Sequence, residues 1–176
     1  MNSKSYRDKL VDKIVATLSD GGQVESGFLD ETRRIILRTY SPGIMNREWA
    51  LTGLDQLIKL VRLAGMLHTN AVHAISDVSQ TNLDMTVAME LQNNPLYKEL
   101  LELPNLGIQI LVPKSESESG TAVAITKYNQ IADEDNYDKT TNRYSRQAIL
   151  VESVDVAIPY LNQHIEAENL RNQTLL

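Results

Sequence analysis

The sequence predicts an α+β protein that is predominantly helical: an N-terminal helical bundle around a central buried helix at residues 46–68, a small antiparallel β-hairpin or sheet at about 107–151, and a C-terminal helix. Three observations predict it. Between Asn46 and His68 the polar positions Glu48, Thr52, Asp55, Lys59 and Arg62 alternate four and three apart, so they share one narrow stripe of a helix and leave the rest of its circumference apolar. Upstream, Leu10, Val11, Ile14, Val15 and Leu18 recur at helical spacing, as do Phe28, Leu29, Thr32, Ile35, Ile36 and Tyr40. After Gly107 the chemistry changes to short runs rich in β-branched residues.

Taken in order, a first helix is expected from Ser5, with Asp8 as its capping-box partner, and Asp20-Gly21-Gly22 ends it. A second helix is expected after Ser26 and ends at Ser41-Pro42-Gly43. Asn46 then caps the central helix, Glu48 suits its N-terminal dipole, and Asp55 and Lys59 are spaced for an ion pair. Thr69 to Gln80 reads as a shorter helix, and Thr81 as the cap of one through Met85, Ala88, Met89 and Leu91. Asn94-Pro95 starts another, which Pro104 closes. Ile108 to Val112 and Thr121 to Lys127 read as the two strands of a hairpin with a polar tip from Lys114 to Gly120, and Gln147 to Val151 as a third strand beside them. Asn129 to Asn142 reads as an acidic loop, and a last helix is expected from about Pro159. The organisation predicted is one domain over 1–176, with 1–104 as the bundle, 105–152 as a projecting hairpin with its acidic loop, and 153–176 as the C-terminal helix.

The 176 residues suffice for one sizeable core, and 42% hydrophobic with 23% charged residues is an ordinary globular composition. A formal net charge of −6 argues against a broad phosphate-binding surface and permits a local one. The absence of cysteine removes disulfides, thiolate zinc sites and cysteine nucleophiles. Met1 to Lys13 has no apolar signal-peptide core, and Asp55, Lys59 and Arg62 interrupt the most apolar stretch, so the expected location is the cytoplasm or a particle assembled there, with no membrane partner.

Candidate chemistry is sparse. His73 and Asp77 are four apart, the spacing of two ligands on one helix face, but no third ligand accompanies them. Asp133, Asp135 and Asp138 lack the glycine and terminal glutamate of a calcium loop. Glu99 and Glu102, and Glu166 and Glu168, read as surface charges on amphipathic helices. No nucleophile elbow or phosphate-cradling glycine loop is present, so the expectation is a protein with no enzymatic activity, catalytic residue, metal or cofactor. Leu63-Ala64-Gly65-Met66-Leu67-His68-Thr69 is similar to the helix of HD-type metal phosphohydrolases, in which an apolar run ends in adjacent histidine and aspartate. His68 matches the histidine and Thr69 replaces the aspartate, so the resemblance implies an inactive relative of that family.

The functional expectation is a structural or assembly protein, a subunit of a homo-oligomer or of a larger particle such as a virion or another multi-protein machine. Its contacts with copies of itself and other subunits are expected at the hairpin tip, through Lys114, Glu116 and Glu118, and at a Met-bearing helix, through Met85 and Met89. The alternative is a helical subunit of a nucleic-acid-handling complex, or a regulator, that meets phosphate through Arg33, Arg34 and Arg38.

Overall fold

The central helix forms where the sequence places it, but its partner is a sheet. In the computed structural model, which describes residues 3–114 and 148–174, a short helix α1 (Ser3–Arg7) precedes three strands, β1 (Val11–Thr17), β2 (Gln23–Phe28) and β3 (Ile35–Tyr40). A short strand β4 (Gly43–Met45) leads into helix α2 (Arg47–Leu67) and then β5 (Val72–Asp77). Strand β6 (Thr81–Leu83), helices α3 (Met85–Gln92) and α4 (Pro95–Glu102), and strand β7 (Leu106–Val112) follow. Beyond the undescribed segment come β8 (Ala148–Leu150) and a final helix, α5 (Val154–Thr174).

Six of these strands make one mixed sheet in the order β1-β2-β3-β5-β7-β8. The first three form an antiparallel meander, and β5, β7 and β8 add in parallel to β3. Strands β4 and β6 pair separately as a parallel two-stranded sheet. Each step from β3 to β5 to β7 moves the same way across the sheet, and crossovers of one hand then lie on one face. That face carries α2, α3 and α4. Helix α2 lays Leu54, Leu57, Ile58, Leu60 and Val61 on Phe28, Ile36, Val72 and Ala74, with Leu100 of α4 in the same cluster. The opposite face, Ile35, Leu37, Ile75, Ile108, Ile110 and Val112, is covered by Val154, Ala157 and Leu161 of α5. Each such fully buried aliphatic side chain contributes about 1.5–3 kcal/mol.

The ends of α2 follow its sequence signals. The Asn46 side chain accepts from the Trp49 backbone N–H at 3.1 Å, and Trp49 Nε1 donates to Asp20 Oδ2 at 2.8 Å, pinning the β1–β2 turn to the helix start. The Asp55–Lys59 pair closes at 2.6 Å on the exposed side. Gly53 lets the helix lie close to β3, because a Cβ there would collide with the Tyr40 hydroxyl and come within 3.3 Å of Arg38 Cδ.

The predominantly helical bundle is therefore a misreading, and its causes are specific. In β1, Asp12 takes a left-handed φ of 51° and the pairing register slips between Val11 and Ile14. That bulge stretches the inward spacing from two residues to three and mimics a helical stripe. Residues 26–40 fold as two strands joined by a turn in which the Asp30 carboxylate accepts from the Thr32 N–H at 2.9 Å, with Arg33 at φ 54° in place of a glycine. The third strand is covered on both faces, so Ile35-Ile36-Leu37 is a continuous apolar run without alternation. The same holds for β5, buried throughout, where a helix was expected over Thr69 to Gln80.

Ile108 to Val112 is a strand as expected, but it is no arm of a projecting hairpin. It lies in the sheet with β5 on one side and β8 on the other, parallel to both. The expected second arm, Thr121 to Lys127, and the loop Asn129 to Asn142 lie outside the described residues. Smaller shifts concern α3, capped by Asp84 and not Thr81, and α5, which begins at Val154 and carries Pro159 inside its first turns. Among the described residues no helix is long and apolar enough to cross a membrane.

Candidate functional site

Three polar constellations stand out, and each is placed by a different part of the fold. The first is buried between the sheet and α5. Arg34, on the turn entering β3, donates from Nε to the Ala71 carbonyl at 2.8 Å, from Nη1 to Asn169 Oδ1 at 3.4 Å, and from Nη2 to the Glu168 carboxylate. Glu168 Oε1 stands 3.5 Å from Nε2 of His73. The His73 Nδ1 accepts the Ile108 backbone N–H at 3.0 Å, so in the neutral ring the proton sits on Nε2, facing the carboxylate. Gly107 makes room for that ring, since a Cβ there would come within 2.7 Å of Nδ1. Burial lowers the Arg34 pKa, and the Glu168 charge opposes that shift. His164, one turn before Glu168, is also lowered, first by burial and then by His73, with Glu168 acting in the opposite sense. The network couples the C-terminal helix to β3, β5 and β7.

The second constellation is on the other face. Arg38 of β3 donates to the Gly53 carbonyl and to Ser76 Oγ, both at 2.7 Å, and its guanidinium lies 5.7 Å from the Tyr40 ring centre. Alongside, Ser26 Oγ donates to Gln56 Oε1 at 2.6 Å, and Gln56 Nε2 reaches the Val24 carbonyl at 3.2 Å. Burial raises the Tyr40 hydroxyl pKa, an effect that Arg38 partly offsets.

The third lies at the carboxyl end of the parallel strands. Lys114, two residues beyond β7, donates to Asn82 Oδ1 of β6 at 3.1 Å. Asn82 is opposite Ile44 in the two-stranded sheet, and Ile44 is 68% exposed. Strand β6 runs straight into the Asp84 cap of α3. Met45, Leu83, Val87 and Leu91 pack beneath, which leaves Ile44 and the 47%-exposed Met89 facing out.

Of the residues singled out from sequence, Lys114 and Met89 thus belong to one end of the molecule; Glu116, Glu118 and the Met85 side chain lie outside the described residues. Arg33, Arg34 and Arg38 do not share a surface. Arg33 pairs with Asp12 at 2.7 Å and with Glu31 at 3.5 Å, Arg34 is buried under α5, and Arg38 points under α2. His73 and Asp77 are on a strand, not a helix, where four residues span about 13 Å, too far to chelate one ion. Asp77 instead caps a turn, accepting from the Ser79 N–H and hydroxyl at 3.1 and 2.6 Å. His68 is the C-cap of α2, and among the described residues no three histidine or carboxylate groups come together as a cation site. Asp133, Asp135 and Asp138 lie outside the described residues.

Glu168 is the residue that sequence reading misplaced: it is 8% exposed, not a surface charge. Its helix offers no clean apolar stripe, so only its partners, distant in sequence, reveal it. Comparison with protein-family models, with curated proteins and with solved structures gives no match for this chain.

Proposed function

We propose that this protein is a non-enzymatic assembly subunit, and that its contact with another copy or another subunit is made by the surface around β4, β6 and the start of α3. Ile44 carries the reading. It stands two-thirds exposed on a sheet of two three-residue strands, a unit that is marginal in water by itself. Lys114 and Asn82 supply a polar rim beside it, and Met89 an adaptable apolar neighbour. Strand addition at the other side of the molecule is disfavoured. The β1 edge is bulged, carries Asp12 in a left-handed conformation, and presents Lys13, paired with Glu25 at 3.2 Å. Among the described residues, Arg33, Arg34 and Arg38 face three different ways and do not form one basic surface, which favours the assembly reading over the nucleic-acid one.

The test is light scattering of the purified chain across a wide concentration range, with wild type beside the doubly substituted Ile44→Asp, Met89→Glu. Both side chains are exposed, so neither substitution buries a charge, and circular dichroism checks that the variant keeps its fold. The expected result is an oligomer for wild type and a monomer for the variant. A wild type that stays monomeric at high concentration, in the absence of any other subunit, overturns self-assembly; a variant that assembles like wild type overturns the surface.

A further inference from the structure

The space above Arg38 has the makings of a ligand site. A cavity of about 170 Å³ lies between the sheet and helices α2, α3 and α4. Leu54, Leu57, Leu91 and Leu100 wall it, and Arg38 and Ser76 stand at its floor. A dry cavity of about 150 Å³ in another protein accommodates benzene, so this one has room for a single ring or a branched aliphatic chain.

What sets it apart from a packing defect is the charge. Of the five guanidinium N–H donors, Arg38 uses one on Nη1 for Gly53 and one on Nη2 for Ser76, and its Nε is closed off without a partner, so one donor on each Nη remains for a ligand. Among the described residues no carboxylate lies within ion-pair distance of it. Arg34, on the turn that enters the same strand, shows the contrasting arrangement, with Glu168 brought to it from α5. Arg38 is only partly buried, and the groups that meet its guanidinium are neutral: the Gly53 carbonyl, the Ser76 hydroxyl and the Tyr40 ring at 5.7 Å, which leaves its charge without a counterion. The position is also held firmly: Gly53 draws α2 down onto Arg38 and Tyr40, and Ser76 fixes one arm of the fork.

We propose that this cavity binds a small monocarboxylate with an apolar body, the carboxylate on the remaining Nη1 and Nη2 donors of Arg38 and the ring or branched chain against the leucine wall. A planar carboxylate matches the fork of an arginine. A phosphate group does not suit a site with one cation and leucine walls. The inference is independent of the assembly reading.

The experiment is calorimetric titration of the full chain with benzoate, 3-methylbutanoate, benzamide and inorganic phosphate. Both acids should bind once per chain. Benzamide, which keeps the ring and loses the charge, should bind at least about tenfold more weakly, and phosphate should not compete. Ala88→Leu fills the cavity from α3 and should abolish binding in a folded protein. Arg38→Gln should weaken benzoate about tenfold to a hundredfold; if that variant does not fold, Ala88→Leu and the benzamide comparison decide. The proposal is overturned if neither acid binds. It is overturned equally if benzamide matches benzoate, if phosphate competes, or if Ala88→Leu binds as wild type does.

Discussion

Replacing Glu168 by glutamine leaves the Arg34 charge buried opposite a neutral amide. The two side chains are 6% and 9% exposed, so solvent cannot take over the role of the lost carboxylate. Breaking such a pair from one side typically costs about 3–5 kcal/mol, and the retained amide oxygen brings the expectation to about 2–4 kcal/mol. With a urea slope of about 2 kcal/mol per molar, the unfolding midpoint should fall by about 1–2 M. Circular dichroism and the fluorescence of Trp49, the sole tryptophan, follow the transition. Glu166→Gln, at an exposed position on the same helix, is the control and should lie within about 0.5 kcal/mol of wild type. The double substitution Arg34→Met, Glu168→Leu removes both charges and should recover most of the loss. If Glu168→Gln is as stable as wild type, or if the double variant is no better than the single one, α5 is not held by this ion pair and the reasoning fails.

Other consequences follow from single contacts. Gly22→Ala would put a Cβ within 2.6 Å of Trp49 Cε2; the expected cost is about 1–3 kcal/mol with a red-shifted tryptophan emission, whereas an unshifted spectrum would mean that the ring does not pack on Gly22. Gly53→Ala should cost about as much, by lifting α2 off Tyr40 and Arg38, and is checked by thermal unfolding. The His164 pKa is lowered in the folded state by burial, then by His73. The unfolded chain therefore binds the proton more readily, so this contribution to stability is complete above about pH 6.5 and is lost as pH falls from there through the lowered folded value. His164→Gln should flatten that part of the stability–pH profile, and a profile of unchanged slope would contradict the assignment.

Signals confined to one helix were legible in the sequence. Asn46 caps α2, Asn94 with Pro95 opens α4, and both helices lie within a residue or two of their expected bounds. What misled was inference from apolar spacing to a partner. Helix α2 is apolar around most of its girth because it meets β2 and β3 beneath and α3 and α4 beside it, and the same pattern suits a helix bundle equally well. In the first forty residues the bulge at Asp12 and the glycine-free turn at Arg33 disguised three strands as two helices. Strand β7 was legible as a strand, but its neighbours β5 and β8 are set by contacts distant in sequence, so its central parallel place was not. The candidate sites follow the same division. Lys114 and Met89 could be chosen from local sequence, as part of a polar stretch and of a Met-bearing helix, whereas Arg34 with Glu168, and Arg38 without an acid, acquire meaning only when the sheet sorts them onto opposite faces.

The most direct test of the assembly surface is amide hydrogen exchange compared between dilute and concentrated protein. Concentration should add protection over residues 43–45 and 81–90 and leave the β1 edge at 11–17 unchanged. Added protection at β1, with none around Ile44 and Met89, would contradict it.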